Sequence, residues 1–357
     1  MGYLFDEMQA PAPRHTWARI PDCASIARAV RGAQKIVLSR DAHLAALSVS
    51  QSTDRALLTG LDLCRWPYKN LWIEWEPNRE SNQSGLSDFD QRNGRSEQEK
   101  PIPDRVGVLI ECNGSDLQTG NMTWVWSHQQ HGCTTGLLGG MFDFREFGND
   151  LDQFYEQYMR AAGVRDKAVF PAEHEVFPML KGQGLTPRKG EDPSAVVEMH
   201  RRMVVMPNRH LTQTLARMAL TCSPQELERA RLDAMGDICG EARFAMAVCL
   251  LLNSKSASFA PGPDLTKLNK ARRRSGKREL QPFTQMEILP MRSQRRAAEA
   301  AGMSAAEIRR HLVRGHFKIR RTGIYWWSPF LRGTGPRVER TAYVATPSSE
   351  ARREPRP

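Results

Sequence analysis

Residues 105–128 read RVGVLIECNGSDLQTGNMTWVWSH. Arg105 to Cys112 and Asn121 to His128 are apolar and rich in β-branched and aromatic side chains, and Asn113-Gly114 and Thr119-Gly120 place turn signals between them. The two runs are predicted to pair as antiparallel strands. Upstream, Leu71 to Trp75 is LWIEW, short, aromatic and bounded by Pro67 and Pro77, which makes it a third strand for the same sheet.

Helical spacing surrounds this β-rich stretch. Ala24 to Arg31 and Thr53 to Cys64 read as helices, as does the run of Phe147, Leu151, Phe154, Tyr155, Tyr158 and Met159 behind the N-cap candidate Asn149. Ser223-Pro224-Gln225-Glu226 joins a capping Ser, Pro at the first helical position and Glu three residues after the cap, a helix start signal. Phe244, Val248, Leu251 and Leu252 form an apolar stripe on the next helix, expected to pack in the core. Between these elements, Asn78 to Asp104 is polar and reads as a surface insertion, and 181–193 as a loop.

Pro261-Gly262-Pro263 precedes a change in charge. Residues 264–357 hold 22 Lys plus Arg against 8 Asp plus Glu, leaving 29 basic and 32 acidic residues for 1–263. The positive charge therefore belongs to the C-terminal quarter, and clustered cations favour a polyanionic partner because neutralised phosphates release their counterions. Leu265 to Arg274 reads as a short helix ending at Ser275-Gly276, and Phe283 to Leu289 as a strand. The fold class expected is α+β: a small antiparallel sheet, a helical middle, and a basic C-terminal helix-plus-β-hairpin unit. In domain terms this means a main domain over 1–263, a basic unit over 264–346 that can complete the same sheet, and a disordered tail over 347–357.

Residues 315–329, GHFKIRRTGIYWWSP, read as a hairpin turning at Thr322-Gly323, which sets Arg320 opposite Tyr325 and Lys318 opposite Trp327. One face then carries Phe317, Ile319, Ile324 and Trp326, and the other His316, Lys318, Arg320, Tyr325 and Trp327. The second face has rings to stack on bases and cations to meet phosphates. Together with Arg272, Arg273, Arg274 and Lys277 it is the expected nucleic-acid-binding surface, the alternative being a solvated amphipathic hairpin beside a charged helix end. Ala298 to Leu312 can be drawn as a helix-turn-helix or as a plain helical connection. His311 and His316 flank Arg314, the weak candidates for a metal-independent nuclease. His128, His131 and Cys133 resemble metal ligands only loosely, without a fourth ligand at the right spacing, so no metal and no cofactor is expected.

Trp66-Pro67 with Leu71 to Trp75, KLNKARRRSGKREL at 267–280 and HLVRGHFKIRRTGIYWWSPFLRG at 311–333 together resemble an uncharacterised protein family of bacteriophages and prophages of proteobacteria, with a C-terminal RGHF…G…WW…P…RG pattern. The resemblance spans both halves of the chain and implies one integrated protein in a phage setting, with no catalytic residue to carry over. Relatives have a shorter polar loop before RGHF, a departure that counts against the helix-turn-helix.

The reading that follows is a non-enzymatic protein binding DNA or RNA with weak sequence preference. Its alternatives are a nuclease using His311 and His316, and a structural or regulatory protein-binding module. No apolar run approaches the roughly 20 residues of a membrane span, and Met1 to Pro13 lacks signal-peptide organisation, so a cytoplasmic protein without a membrane partner is expected. The seven cysteines form no CxxC pair and are expected to be mostly buried thiols.

Overall fold

A computed structural model describes residues 3–9, 17, 20, 22–50, 54–61, 64–77, 103–128, 132–145, 202–223, 225–226, 241–288, 311–313, 316–320, 323–327 and 330–332. Within them α1 (Leu4–Glu7) and α2 (Cys23–Gly32) precede β1 (Gln34–Leu38). Next come α3 (Arg40–Ser50), α4 (Asp54–Leu61), β2 (Asn70–Trp75), β3 (Arg105–Cys112) and β4 (Thr119–His128). β5 (Gly132–Thr135), β6 (Leu138–Asp143), β7 (Met203–Pro207) and α5 (Thr212–Thr221) follow. A helix at 241–252, α6, leads to β8 (Ala257–Pro261), α7 (Thr266–Arg274) and β9 (Thr284–Ile288).

The α+β class stands. The sheet is larger than the small antiparallel one expected, with nine strands in the order β7-β6-β4-β3-β2-β1-β9-β8 and β5 paired to β4. It is also mixed, because β1 runs parallel to both β2 and β9. β1 and α3 are elements that the sequence pattern does not announce. QKIVL follows α2 after a single residue, too close to a helix for its short apolar run to stand out by periodicity. The expected pairing of the central strands holds, with Arg105 opposite Ser127 and Cys112 opposite Gly120. β9 joins the sheet between β1 and β8, so residues 284–288 complete it.

Strand alternation sorts the sheet into two faces. Leu71, Ile73, Trp75, Val106, Val108, Ile110, Met122 and Trp124 lie on one face, all buried. Trp75 meets Phe244 of α6 at 4.7 Å between ring centres, and Phe244 meets His43 of α3 at 5.3 Å. Residues 242 and 244–251 are all buried, so α6 is enclosed well beyond the single apolar stripe its sequence marks. Asn70, Trp72, Glu74, Arg105, Glu111, Asn121, Thr123 and Ser127 lie on the other face. α1, α2 and α5 cover that side through Glu74, Glu7, Asp22 and His210.

The Ser223–Glu226 capping box forms as predicted. Glu226 N–H donates to Ser223 Oγ at 3.3 Å and Ser223 N–H to Glu226 Oε2 at 2.8 Å. Cys23, Cys64, Cys112, Cys133 and Cys249 are buried free thiols, and Cys222 is half-buried. The helix at 147–159, the loop at 181–193, the polar stretch at 78–102, the 298–310 part of the helix-turn-helix candidate, Cys239 and the tail at 347–357 lie outside the described residues. Among the described residues no helix is long and apolar enough to cross a membrane.

Candidate functional site

The cationic helix α7 has no buried residue, so its geometry rests on its ends. Asp264 Oδ1 accepts from the N–H of Thr266 at 2.9 Å and from its hydroxyl at 2.6 Å, opening the helix. At the other end Gly276 has φ +69°, Lys277 N–H donates to Arg272 O at 2.8 Å, and Gly276 N–H to Arg273 O at 3.1 Å. That is the Schellman closure, with glycine in the left-handed position that an L side chain disfavours. The chain then turns back along the helix, where Asn269 Nδ2 donates to Leu280 O at 2.9 Å and Leu280 N–H to Asn269 Oδ1 at 2.8 Å. Arg278 reaches Gln9 O, and Gln281 N–H donates to Asp6 Oδ1 at 3.1 Å, tying this return to α1.

The four cations of this cluster divide by role. Arg272 is half-buried and its Nε donates to Arg278 O at 2.7 Å, which makes it a brace of the turn. Arg273 pairs with Glu279 at 2.6 Å, and this bond raises its pKa above the usual guanidinium value. Arg274 and Lys277 are exposed. Lys267 and Lys270, absent from the expected surface, are exposed too, and the spacing 267, 270, 274 is that of one helix face. Their signal is present in the sequence as that spacing. The Arg-Arg-Arg run beside it is the more conspicuous feature.

The two strands of the hairpin pair in a register different from the one expected. β11 (His316–Arg320) pairs antiparallel with β12 (Gly323–Trp327), with Arg320 opposite Gly323, Lys318 opposite Tyr325 and His316 opposite Trp327. The predicted partners Arg320–Tyr325 and Lys318–Trp327 are thus replaced. Each pairing moves by two positions, so the sorting of residues between the two faces is unchanged. Tyr325 is half-buried. His311 belongs to β10 (His311–Val313), which pairs with β13 (Phe330–Arg332), and so lies in a different two-stranded sheet from His316. Arg314 lies outside the described residues.

Around the HQQHGC stretch, Cys133 is fully buried in β5 opposite Ser127, and burial, reinforced by Glu7, pushes its thiol far up. His131 lies outside the described residues, among which no three His, Cys, Asp or Glu side chains gather as metal ligands.

A second polar cluster has no signature in the sequence, since its members stand at positions 25, 111 and 210. His210 Nε2 lies 2.7 Å from Glu111 Oε2, and His210 Nδ1 lies 3.3 Å from Ser25 Oγ. Burial pushes the Glu111 carboxyl up, but the bond and charge of His210 and the charge of Arg209 outweigh it and hold the pKa below the usual range. His210 sits in the turn between β7 and α5, where its N–H donates to Asn208 Oδ1 at 3.1 Å. Asn208 is buried and bonds Gly136 O and Leu137 O at 3.0 and 2.8 Å, anchoring the turn on the β5–β6 link. No protein-family model matches the chain, and neither the curated proteins nor the solved structures give a match.

Proposed function

We propose that the protein binds nucleic acid, with phosphates held along α7 by Lys267, Lys270, Arg274 and Lys277. The observation carrying this reading is a row of exposed cations on a helix whose two ends are fixed by hydrogen bonds. Lysine and arginine held in a row neutralise successive phosphates at little further ordering cost, and the released counterions supply the affinity. Arg272 and Arg273 serve the fold of this unit, through Arg278 O and Glu279. His316, Lys318, Arg320, Tyr325 and Trp327 of the hairpin extend the surface with rings that stack on bases, so single strands are preferred and sequence matters little. The phage or prophage setting implied by the family resemblance suits such a role.

The test is a titration over a salt series with single-stranded and duplex DNA and RNA. Affinity should fall linearly on a log–log plot. Changing Lys267, Lys270, Arg274 and Lys277 to Gln should reduce the slope by about 0.7–0.9 for each phosphate that is no longer neutralised. An unchanged slope and affinity in the folded fourfold variant would remove α7 from the binding surface.

A further inference from the structure

We propose that Ser25, His210 and Glu111 form a hydrolytic centre for carboxylic esters, in which Ser25 is the nucleophile, His210 the general base and Glu111 the residue that positions the imidazole. The site belongs to the polar side of the sheet and is independent of the nucleic-acid reading. Its first element is the relay itself. Glu111, an ionised carboxylate, can only accept, so Nε2–H of His210 donates across the 2.7 Å contact and Nδ1 is left as the acceptor toward Ser25 Oγ. The Ser25 hydroxyl has three acceptors in reach, Asp22 O at 2.7 Å, His210 Nδ1 at 3.3 Å and His210 O at 3.4 Å. Rotation about the Cβ–Oγ bond carries its hydrogen from Asp22 O to the imidazole with no heavy atom moving. This is the linkage of nucleophile, base and orienting group that activates a serine.

The second element is a donor for the oxyanion. Asp22 occupies the N-cap position of α2 but makes no side-chain cap bond there. Its Oδ2 accepts instead from Thr214 N at 2.7 Å and Thr214 Oγ1 at 2.9 Å, capping α5. In the first turn of α2, Cys23 N–H goes to Ile20 O and Ser25 N–H to Asp22 O, and the N–H of Ala24, next to the nucleophile, is assigned to the substrate oxygen. Ala24 is exposed and Ser25 half-buried, so an ester carbonyl can approach both. The adjacent Cys23 is no rival nucleophile, because burial and the Asp22 charge push its thiol up to about 12.

In the reaction, Ser25 Oγ bonds to the carbonyl carbon as its proton passes to Nδ1. The carbon–oxygen bond of the leaving alcohol then breaks, and Nδ1 returns that proton to the alcohol. Water attacks the acyl-serine, Nδ1 takes its proton and delivers it to Ser25 Oγ, and the acid departs. Ester plus water gives acid plus alcohol, with no other reactant.

The test treats the full-length protein with a fluorophosphonate, whose phosphorus bonds to an activated serine oxygen with loss of fluoride. Mass spectrometry should place one adduct on the Ser25 peptide, and hydrolysis of 4-nitrophenyl acetate should vanish in Ser25→Ala. His210→Gln should slow labelling on the order of 100-fold. Glu111→Ala should slow labelling, because the imidazole loses the acceptor that orients its Nε2–H, and Glu111→Asp should restore part of the rate, a rescue that a purely structural role does not require. A folded wild-type protein that takes no label on Ser25, or ester turnover that survives in Ser25→Ala, would overturn the proposal and leave Ser25 a first-turn hydrogen-bonding residue. Neither readout depends on α7, so it fails or stands separately from nucleic-acid binding.

Discussion

Under α3, α4 and α6 the sheet presents Leu71, Ile73, Trp75, Val108 and Trp124, while under α1, α2 and α5 the same strands present Asn70, Trp72, Glu74, Arg105 and Glu111. Both sides are covered, so the contrast is not one of solvent against core. The apolar side is held by area and ring packing, from Trp66 and Phe142 at 6.1 Å to Trp75 and Phe244 at 4.7 Å. The polar side is held by saturation of charge. Glu74, fully buried, accepts from Leu4 N at 2.7 Å, Phe5 N at 3.2 Å, Trp72 Nε1 at 3.1 Å and Arg105 Nη1 at 3.0 Å. Burial nevertheless leaves its pKa raised, which shows how much desolvation those four donors must offset. A covered polar face thus confers rigidity on specific groups, and the Ser25–His210–Glu111 relay is placed on that side.

The largest expected effect breaks this saturation. Arg105→Ala leaves the Glu74 carboxylate buried without its cation and should cost about 3–5 kcal/mol in urea unfolding. Glu74→Gln removes the charge and leaves one oxygen, an acceptor for Leu4 N or Phe5 N but not for both, since the two donate to different carboxylate oxygens. The double variant should therefore recover only part of that loss, a coupling on the order of 2 kcal/mol. Strictly additive effects would mean that the two charges do not depend on each other and that the polar face is effectively wet.

On the apolar face the corresponding experiment uses pH. Burial lowers the pKa of His43 to about 4, so the folded protein holds it neutral while the unfolded chain takes up a proton near pH 6.5. Between those values the unfolded state binds more protons, and stability must fall as pH drops from about 6.5 to 4. The loss should total about 3 kcal/mol. Asp6 and Glu74, with raised pKa values, act in the opposite direction, and Glu111, with a lowered one, in the same direction. The informative quantity is therefore the difference between wild type and His43→Leu, measured by urea midpoints at pH 7, 5.5 and 4. Parallel curves would show that His43 is hydrated.

The contrast between the faces also explains what could be read from the sequence. LWIEW and the 105–128 stretch announce strands because apolar and β-branched residues recur on the apolar face, and the turn signals between 105–112 and 121–128 announce that these two pair as antiparallel strands. Glu74, Arg105 and Glu111 alternate with those residues and so look like positions facing water. Only the third dimension shows that α1 and α2 cover them. The relay of Ser25, Glu111 and His210 is illegible for the same reason: nothing local links a first-turn serine, a strand glutamate and a turn histidine. α7 is legible because its pattern is local, down to the glycine that ends it. The expected hairpin pairing is two positions astray because Thr-Gly is a weak turn signal, and Arg320 pairs with Gly323 instead of Tyr325.

The smallest effect concerns the strap that α7 lays beside the polar face. Two glycines separate the ways in which a methyl group can do harm. At Gly107 a Cβ would stand 2.0 Å from the buried Trp72 ring, a collision within the sheet. At Gly276 a Cβ meets nothing within 4 Å, and only φ +69° resists it. Gly276→Ala should therefore cost about 1 kcal/mol, the conformational penalty alone. Gly276→Asn should cost less, because asparagine tolerates the left-handed region. Thermal unfolding of the three proteins should give the order Gly, Asn, Ala. The return of the chain depends on that turn, since Lys277 N–H must reach Arg272 O before Asn269 can clasp Leu280 and Gln281 can reach Asp6. A loss well above 1 kcal/mol in Gly276→Ala would mean that the strap detaches from α1 as a unit, making it part of the cover of the polar face. A loss near the expected value would mean that the strap adjusts locally, leaving the α7 cations on a helix whose end can yield without disturbing the sheet.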